Sequence, residues 1–265
     1  MSIYNVLMGA SGPFLFIRTI STNQVDYNLN TALTAAGWNG IIPVVVNITI
    51  ASAVQFTASA NTIPAFTVGA LPTGSSVYIT NNGYIVGRGG QGIGKGYPNS
   101  TSYNLTAPAS ANGGVALSVS SAVSINNASG TIGGGGGAGG VGGATSADCS
   151  CSSCGGVGLA GMSTSGGGAG YGSAGQGYSG WTNNGQYNNT QNSSAGGLLT
   201  AGAQGGTTAG ASGTLGVAGS AGAGSQACGY VNQSGPGTGG AAGACTSGNS
   251  NITWVSNGIR LGTLG

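Results

Sequence analysis

Residues 210–224 read GASGTLGVAGSAGAG, with Gly210, Gly213, Gly216, Gly219 and Gly222 on every third position. A residue that returns every third place lines one edge of a helix with three residues per turn, the geometry of polyproline II, which rises about 3.1 Å per residue. Such a helix makes no internal hydrogen bonds. Each of its N–H and C=O groups therefore needs a partner on a neighbouring segment. Collagen meets that demand with three chains stiffened by proline. In 130–250, however, about a third of the residues are glycine and the only proline is Pro236, so the stiffening element is missing. A helix edge without Cβ atoms lets another backbone approach closely. The expectation is a packed bundle of polyglycine II helices.

The period recurs in short runs broken by changes of frame: Gly133, Gly136, Gly139 and Gly142; Gly155, Gly158 and Gly161; Gly237, Gly240 and Gly243. Short periodic runs between polar stretches imply several short helices joined by loops, the one over 210–222 about 40 Å long. A disordered low-complexity tract is the alternative. Val157, Leu159, Leu215 and Val217, set between the glycines, weigh against it because they offer apolar surface to bury.

Before residue 130 the chain reads as an ordered, β-rich module. VDYNLNTALTAAGWNG (25–40) predicts a short helix burying Leu29, Leu33 and Trp38 and ended by Gly37 or Gly40. IIPVVVNITIA is rich in β-branched residues and predicts a strand. SSVYITNNGYIVGRGGQG and LSVSSAVSINNASGTIGGGGGAG then share one plan: alternating apolar residues, an Asn-Asn turn, a short strand, then glycines. Two copies of that plan imply stacked β-layers leading the chain into the glycine helices. The fold class expected is mainly β and irregular: a β-layered N-terminal module with one short helix (1–129), a glycine-rich polyglycine II domain (130–250), and a closing strand (251–265) that holds Trp254 in a structural role.

Charge is sparse: Arg18, Arg88, Lys95 and Arg260 against Asp26 and Asp148. Phosphate binding draws on clustered Lys and Arg, so a nucleic-acid partner is excluded. The opening MSIYNVLMGASGPFLFIR lacks a basic segment before its apolar residues, so no Sec export is expected, and IIPVVVNITI is too short to span a bilayer. No membrane insertion is expected.

Enzymatic chemistry is argued against by the absence of histidine and glutamate and by the wide separation of the two aspartates. GRGGQG (87–92) fits G-x-G-x-x-G, and GGQGIGK (89–95) fits most of a P-loop. The latter has Gly96 where Ser or Thr belongs, and no helix-forming segment follows either, so both are ascribed to glycine richness. Arg88 and Lys95, at this junction, are expected to satisfy loop carbonyls. No catalytic residue and no cofactor is expected.

Five cysteines remain: Cys149, Cys151 and Cys154 in ADCSCSSC, then Cys228 and Cys245. Loop-to-loop disulfides, free thiols and an all-cysteine zinc site are the three readings, and no pairing follows from spacing.

The AAGWNG turn, NNGYIVGRGGQG, INNASGTIGGGGGAGG, the long glycine-periodic region and the closing NSNITWVSNGIRLGTLG together resemble the T-even phage tail-fibre adhesins of the gp38 type, from about residue 23 onward. That resemblance implies a virion protein, made in the host cytoplasm, at a fibre or tail tip. It implies recognition of a bacterial surface receptor, an outer-membrane protein or surface glycan, through loops between polyglycine II helices. It also implies attachment to another virion fibre or tail protein through the N-terminal module. Those adhesins open with a tryptophan-bearing docking module, whereas here no tryptophan precedes Trp38. Attachment to a long tail fibre, a head fibre or a baseplate stays open on that ground.

Carried onto this chain, the receptor loops are the polar breaks between glycine runs. QGYSGWTNNGQYNNTQNSSAG (176–196) offers Tyr178, Trp181, Asn183, Asn184, Tyr187 and Asn188. SQACGYVNQS adds Tyr230 and Asn232, and ATSADCSCSSC is a further loop. Tyrosine, asparagine, serine and glycine together are the mix of adaptable binding loops, with aromatic anchors and directional amides. Two other readings are a structural or decorating virion fibre protein without receptor contact, and an ice-binding protein using flat Ala/Ser/Thr faces.

Overall fold

The computed structural model describes residues 12–92, 111–140, 145–147, 158–160, 166–172, 193–204, 209–222, 230–233 and 237–265. It is mostly β with one α-helix, and the strands follow a three-beat cycle. β1 (Phe14–Ile20), β2 (Gln24–Val25) and β3 (Tyr27–Asn28) lie on three different faces. After α1 (Leu29–Ala35), β4 (Val44–Ile50), β5 (Gln55–Thr57) and β6 (Phe66–Val68) repeat the three faces in order, and β7 (Ser76–Asn81), β8 (Tyr84–Val86) and β9 (Leu117–Val119) repeat them again. β10 (Val123–Asn126) and β11 (Thr131–Gly133) begin a fourth turn. Two short antiparallel pairings intervene, of β12 (Thr145–Ala147) with β13 (Gly158–Ala160) and with β14 (Tyr230–Gln233). The fourth turn is completed only by β15 (Thr246–Ser247), and β16 (Ile252–Ser256) and β17 (Ile259–Leu261) form the fifth.

Every pairing between turns is parallel. The result is a three-faced parallel coil with first-face order β1-β4-β7-β10-β16, second-face order β17-β11-β8-β5-β2 and third-face order β15-β9-β6-β3. Alternation along each strand fills its interior. In β4, VVVNITI, the valines and isoleucines at 44, 46, 48 and 50 are buried while Asn47 faces out. Register then stacks like on like: Ile48, Ile79 and Ile125 form one column, begun by Arg18 and closed by Trp254. Phe56, Ile85 and Ile132 form another, closed by Arg260, whose guanidinium lies 4.6 Å from the Trp254 ring centre. Tyr27 and Phe66 meet edge to face at 4.9 Å within the first two turns.

Corners are held by asparagine. Asn81 and Asn127, both fully buried, stack with Asn81 Nδ2 donating to Asn127 Oδ1 at 2.7 Å. Asn127 Nδ2 donates onward to the carbonyls of Asn257 (2.9 Å) and Ile259 (3.2 Å). Thus the Asn-Asn turns read in the sequence form a ladder along one corner of the coil, satisfying amides that would otherwise be stranded in the interior.

The helix lies where the sequence places it, with Leu29 and Leu33 fully buried and Trp38 nearly so. Asn28 caps its start through Oδ1, which accepts from Thr31 N at 3.1 Å. Gly37, at φ +100°, ends it, with Gly37 N donating to Thr34 O and Trp38 N to Leu33 O, the paired bonds of a Schellman stop.

Candidate functional site

The glycine stretches leave the coil at the second-to-third-face corner, after β8 and after β11, and pack against one another without forming sheets. Residues 133–140 run through the middle, all buried. Their N–H groups point in turn to three neighbours: Gly135 and Ala138 to Gly114 and Ala111, Gly136 to Ala169, Gly137 and Gly140 to Val217 and Ser220. Their carbonyls accept from three others: Gly133 and Gly136 from Gly87 and Gly90, Gly137 and Gly140 from Gly213 and Gly210, Gly135 and Ala138 from Gly243 and Gly240. Donors and acceptors each repeat every three residues.

The surrounding segments also bond to each other in a closed ring: 111–114 to 87–90, these to 168–170, then 209–213, then 217–222, then 237–243, and back to 111–114. Only glycine permits this spacing at most positions. A Cβ on Gly137 would lie 1.9 Å from Gly240 O, and one on Gly113 1.8 Å from Gly135 O. The packing includes 87–92 and 111–116, which the period-three runs beyond residue 130 do not reveal. The GRGGQG stretch is accordingly part of this block, with Gly87 and Gly90 donating into the central segment. Half-buried Arg88 contributes its carbonyl to Gly114 N; Lys95 lies outside the described residues.

One end of the block is fixed to the coil. Leu215 and Ala169 are buried with Val86 of β8, and Tyr84 and Leu198 pack against them. Tyr171 donates from its hydroxyl to Gln55 Oε1 at 3.0 Å. At the opposite end the chain leaves and returns repeatedly. Gly140, Gly210, Gly222 and Gly237 converge there, Gly222 N donating to Gly237 O and Gly210 N to Gly140 O. Gly90 and Ala111 reach the level of Ala138, and Ser194 pairs with Ala203 alongside Gly167. The described segments that end at Gly140 and Gly222, and those that begin at Ala209 and Gly237, therefore have those ends remote from the coil.

Of the sequence-derived site residues, Tyr178, Trp181, Asn183, Asn184, Tyr187 and Asn188 lie outside the described residues. Tyr230 and Asn232 lie on β14, in register with Ala147 and Ser146 of β12. Cys149, Cys151, Cys154 and Cys228 are outside the described residues as well. Cys245 is a free thiol, so the disulfide reading does not extend to it. Its position at the entry to β15 turns the side chain inward, where Sγ donates to Ile132 O at 3.3 Å, and burial pushes its pKa from 9.0 up to about 11.

The described structure is thus a parallel coil that carries a glycine-packed block, one end of the block packed on the coil. Residues 15–265 match the family Phage tail fibre adhesin Gp38, and the chain belongs to that family. A solved structure of the gp37–gp38 adhesin tip complex of the bacteriophage S16 long tail fiber shares the fold, with a TM-score of 0.57 and 23% identity over 95% of this chain and 83% of that one. No curated protein matches the sequence significantly.

Proposed function

We propose that this chain is the receptor-binding tip of a phage tail fibre, and that the glycine segments are polyglycine II helices whose connecting loops touch the bacterial surface. The observation that carries the reading is the gathering of the loop ends at one end of the glycine block while the other end is packed on the coil. The three-residue repeat of its hydrogen bonds, with a central segment inside a ring of six, supports the polyglycine II assignment. The loops at 173–192 and 223–236, with Tyr178, Trp181, Tyr187 and Tyr230 as anchors and Asn183, Asn184, Asn188 and Asn232 as amide partners, contact an outer-membrane protein or surface glycan. The stretch 93–110 joins them. Binding, not catalysis, is the activity.

Attachment to the fibre falls to the first turn. β1 pairs only with β4 among the described residues, leaving a seven-residue strand edge beside exposed Leu15 and Ile17. An open edge of this kind suits strand addition by a fibre partner. The related S16 protein is seen in complex with gp37, which supports a fibre partner here.

The test is competition. Purified protein should bind host cells and block phage adsorption, whereas a folded variant with 177–192 replaced by a short glycine linker should do neither. If wild-type protein fails to bind cells of a host that the phage infects, the structural or decorating reading replaces this one.

A further inference from the structure

Four Asn-Gly pairs fall within the described residues: Asn39-Gly40, Asn82-Gly83, Asn112-Gly113 and Asn257-Gly258. Such pairs are the chemically weak points of a chain. The glycine N–H is unshielded by a side chain, and its nitrogen can attack the asparagine side-chain amide carbon when the two approach. Whether they approach is decided by hydrogen bonds, and here three pairs are restrained. Asn39 Oδ1 accepts from Ile41 N and Ile42 N at 3.0 and 3.2 Å, fixing the amide. Gly83 N, the nucleophile of the second pair, donates to Asn81 Oδ1 at 3.1 Å. Asn112 Oδ1 accepts from Ala241 N at 2.8 Å while Gly113 N donates to Ala241 O at 2.9 Å, so both reacting groups are held.

The fourth pair differs. Asn257 and Gly258 are exposed, and among the described residues no hydrogen bond engages the Asn257 side chain or the Gly258 N–H. We propose that Asn257-Gly258 is a site of spontaneous deamidation that loosens the last turn of the coil. The Gly258 nitrogen bonds to the Asn257 side-chain carbon, the bond to the side-chain nitrogen breaks, and ammonia leaves. Solvent water then opens the resulting succinimide at one of its two C–N bonds, giving aspartate or isoaspartate. No oxidant or reductant is involved.

Location gives the reaction its consequence. The Asn257 carbonyl accepts from buried Asn127 Nδ2, the final step of the corner ladder, and β17 follows at once, paired with Thr131–Gly133 of β11. Isoaspartate inserts a methylene into the main chain at this corner. It shifts the ladder acceptor and the register that holds Arg260 over Trp254. None of this depends on what the loops bind.

The experiment is peptide mapping by mass spectrometry of the full-length native protein, aged at mildly alkaline pH beside a sample unfolded in urea. In the native sample, conversion of amide to acid at Asn257 should outrun that at Asn39, Asn82 and Asn112 by about tenfold or more, because among the four only there does no hydrogen bond hold either reacting group. In urea the four should converge. Equal rates in the native protein overturn the proposal. Thermal melts of aged wild-type and Asn257→Gln protein test the consequence: wild type should lose melting temperature with age while Asn257→Gln holds its own, and parallel ageing of the two overturns it.

Discussion

At the scale of single residues, the glycine block sets a steep contrast between positions that look alike in the sequence. Gly137 sits in the central segment, where a Cβ would meet Gly240 O at 1.9 Å and the neighbour is backbone, with no side chain to swing aside. Gly137→Ala should cost about 3 kcal/mol or more, at the upper end for overpacking, or prevent folding. Gly12→Ala, with nothing among the described residues within 4 Å of its added methyl, should be neutral, and urea midpoints of the two variants provide the check. Buried Cys245 makes a second residue-scale prediction. Its thiol loses its proton near 9.0 in the unfolded chain but only near 11 in the native one. Between those values the native state binds more protons, so the contribution to stability is complete below pH 9 and is lost as pH rises towards 11, by about 2–3 kcal/mol at most. The difference in unfolding free energy between wild type and Cys245→Ala should shrink over that interval. At neutral pH the native thiol should resist alkylation.

At the scale of elements, what could be read from the sequence was whatever is settled locally. α1 was legible because its cap, its buried Leu29 and Leu33 and its stop at Gly37 all lie within a dozen residues. β4 was legible because every second residue is branched and apolar. The parallel coil was only half legible. SNGIRLG at 256–262 is a third copy of the NNGYIVG plan, but serine replaces the first asparagine and the glycine extension is absent, so the corner it forms with Asn127 went unread. Its partners lie more than a hundred residues away, and no local period points to them. Trp254, by contrast, was expected in a structural role on a closing strand, and it lies on β16, which pairs in parallel with β10. Its indole Nε1 donates to Asn249 Oδ1 at 3.1 Å, and Arg260 covers the ring. Half-buried, it contributes less than a core residue: Trp254→Ala should cost about 2 kcal/mol and lower the thermal midpoint without changing which cells the folded protein binds. Loss of cell binding at full stability would place the indole in a recognition role.

At the scale of the whole molecule, the last twenty-nine residues, 237–265, join structures made much earlier in the chain. Gly240 and Gly243 donate to Ala138 and Gly135, and Leu261 O accepts from Gly134, so the central glycine segment is incomplete until these residues arrive. Ala241, Ala244 and Cys245 supply the carbonyls for Gly113, Ala116 and Leu117, and β15 lays the final strand on the third face. The chain end then folds back, Cys245 N donating to Thr263 O and Gly265 N to Thr246 O. Coil and glycine block thus share one closing segment, and neither buries its backbone polar groups without it. A chain ending at residue 236 should therefore lack a cooperative unfolding transition altogether, whereas replacing the loop at 177–192 should leave the transition in place. Hydrogen exchange sharpens the comparison, because the amides of Ile48 and Ile79 belong to the coil and those of Gly135 and Ala138 to the block. In the full chain all four should exchange at one common, global rate. If the shortened chain still protects Ile48 and Ile79, the coil folds by itself and the glycine block is an addition to it, not a partner in its stability.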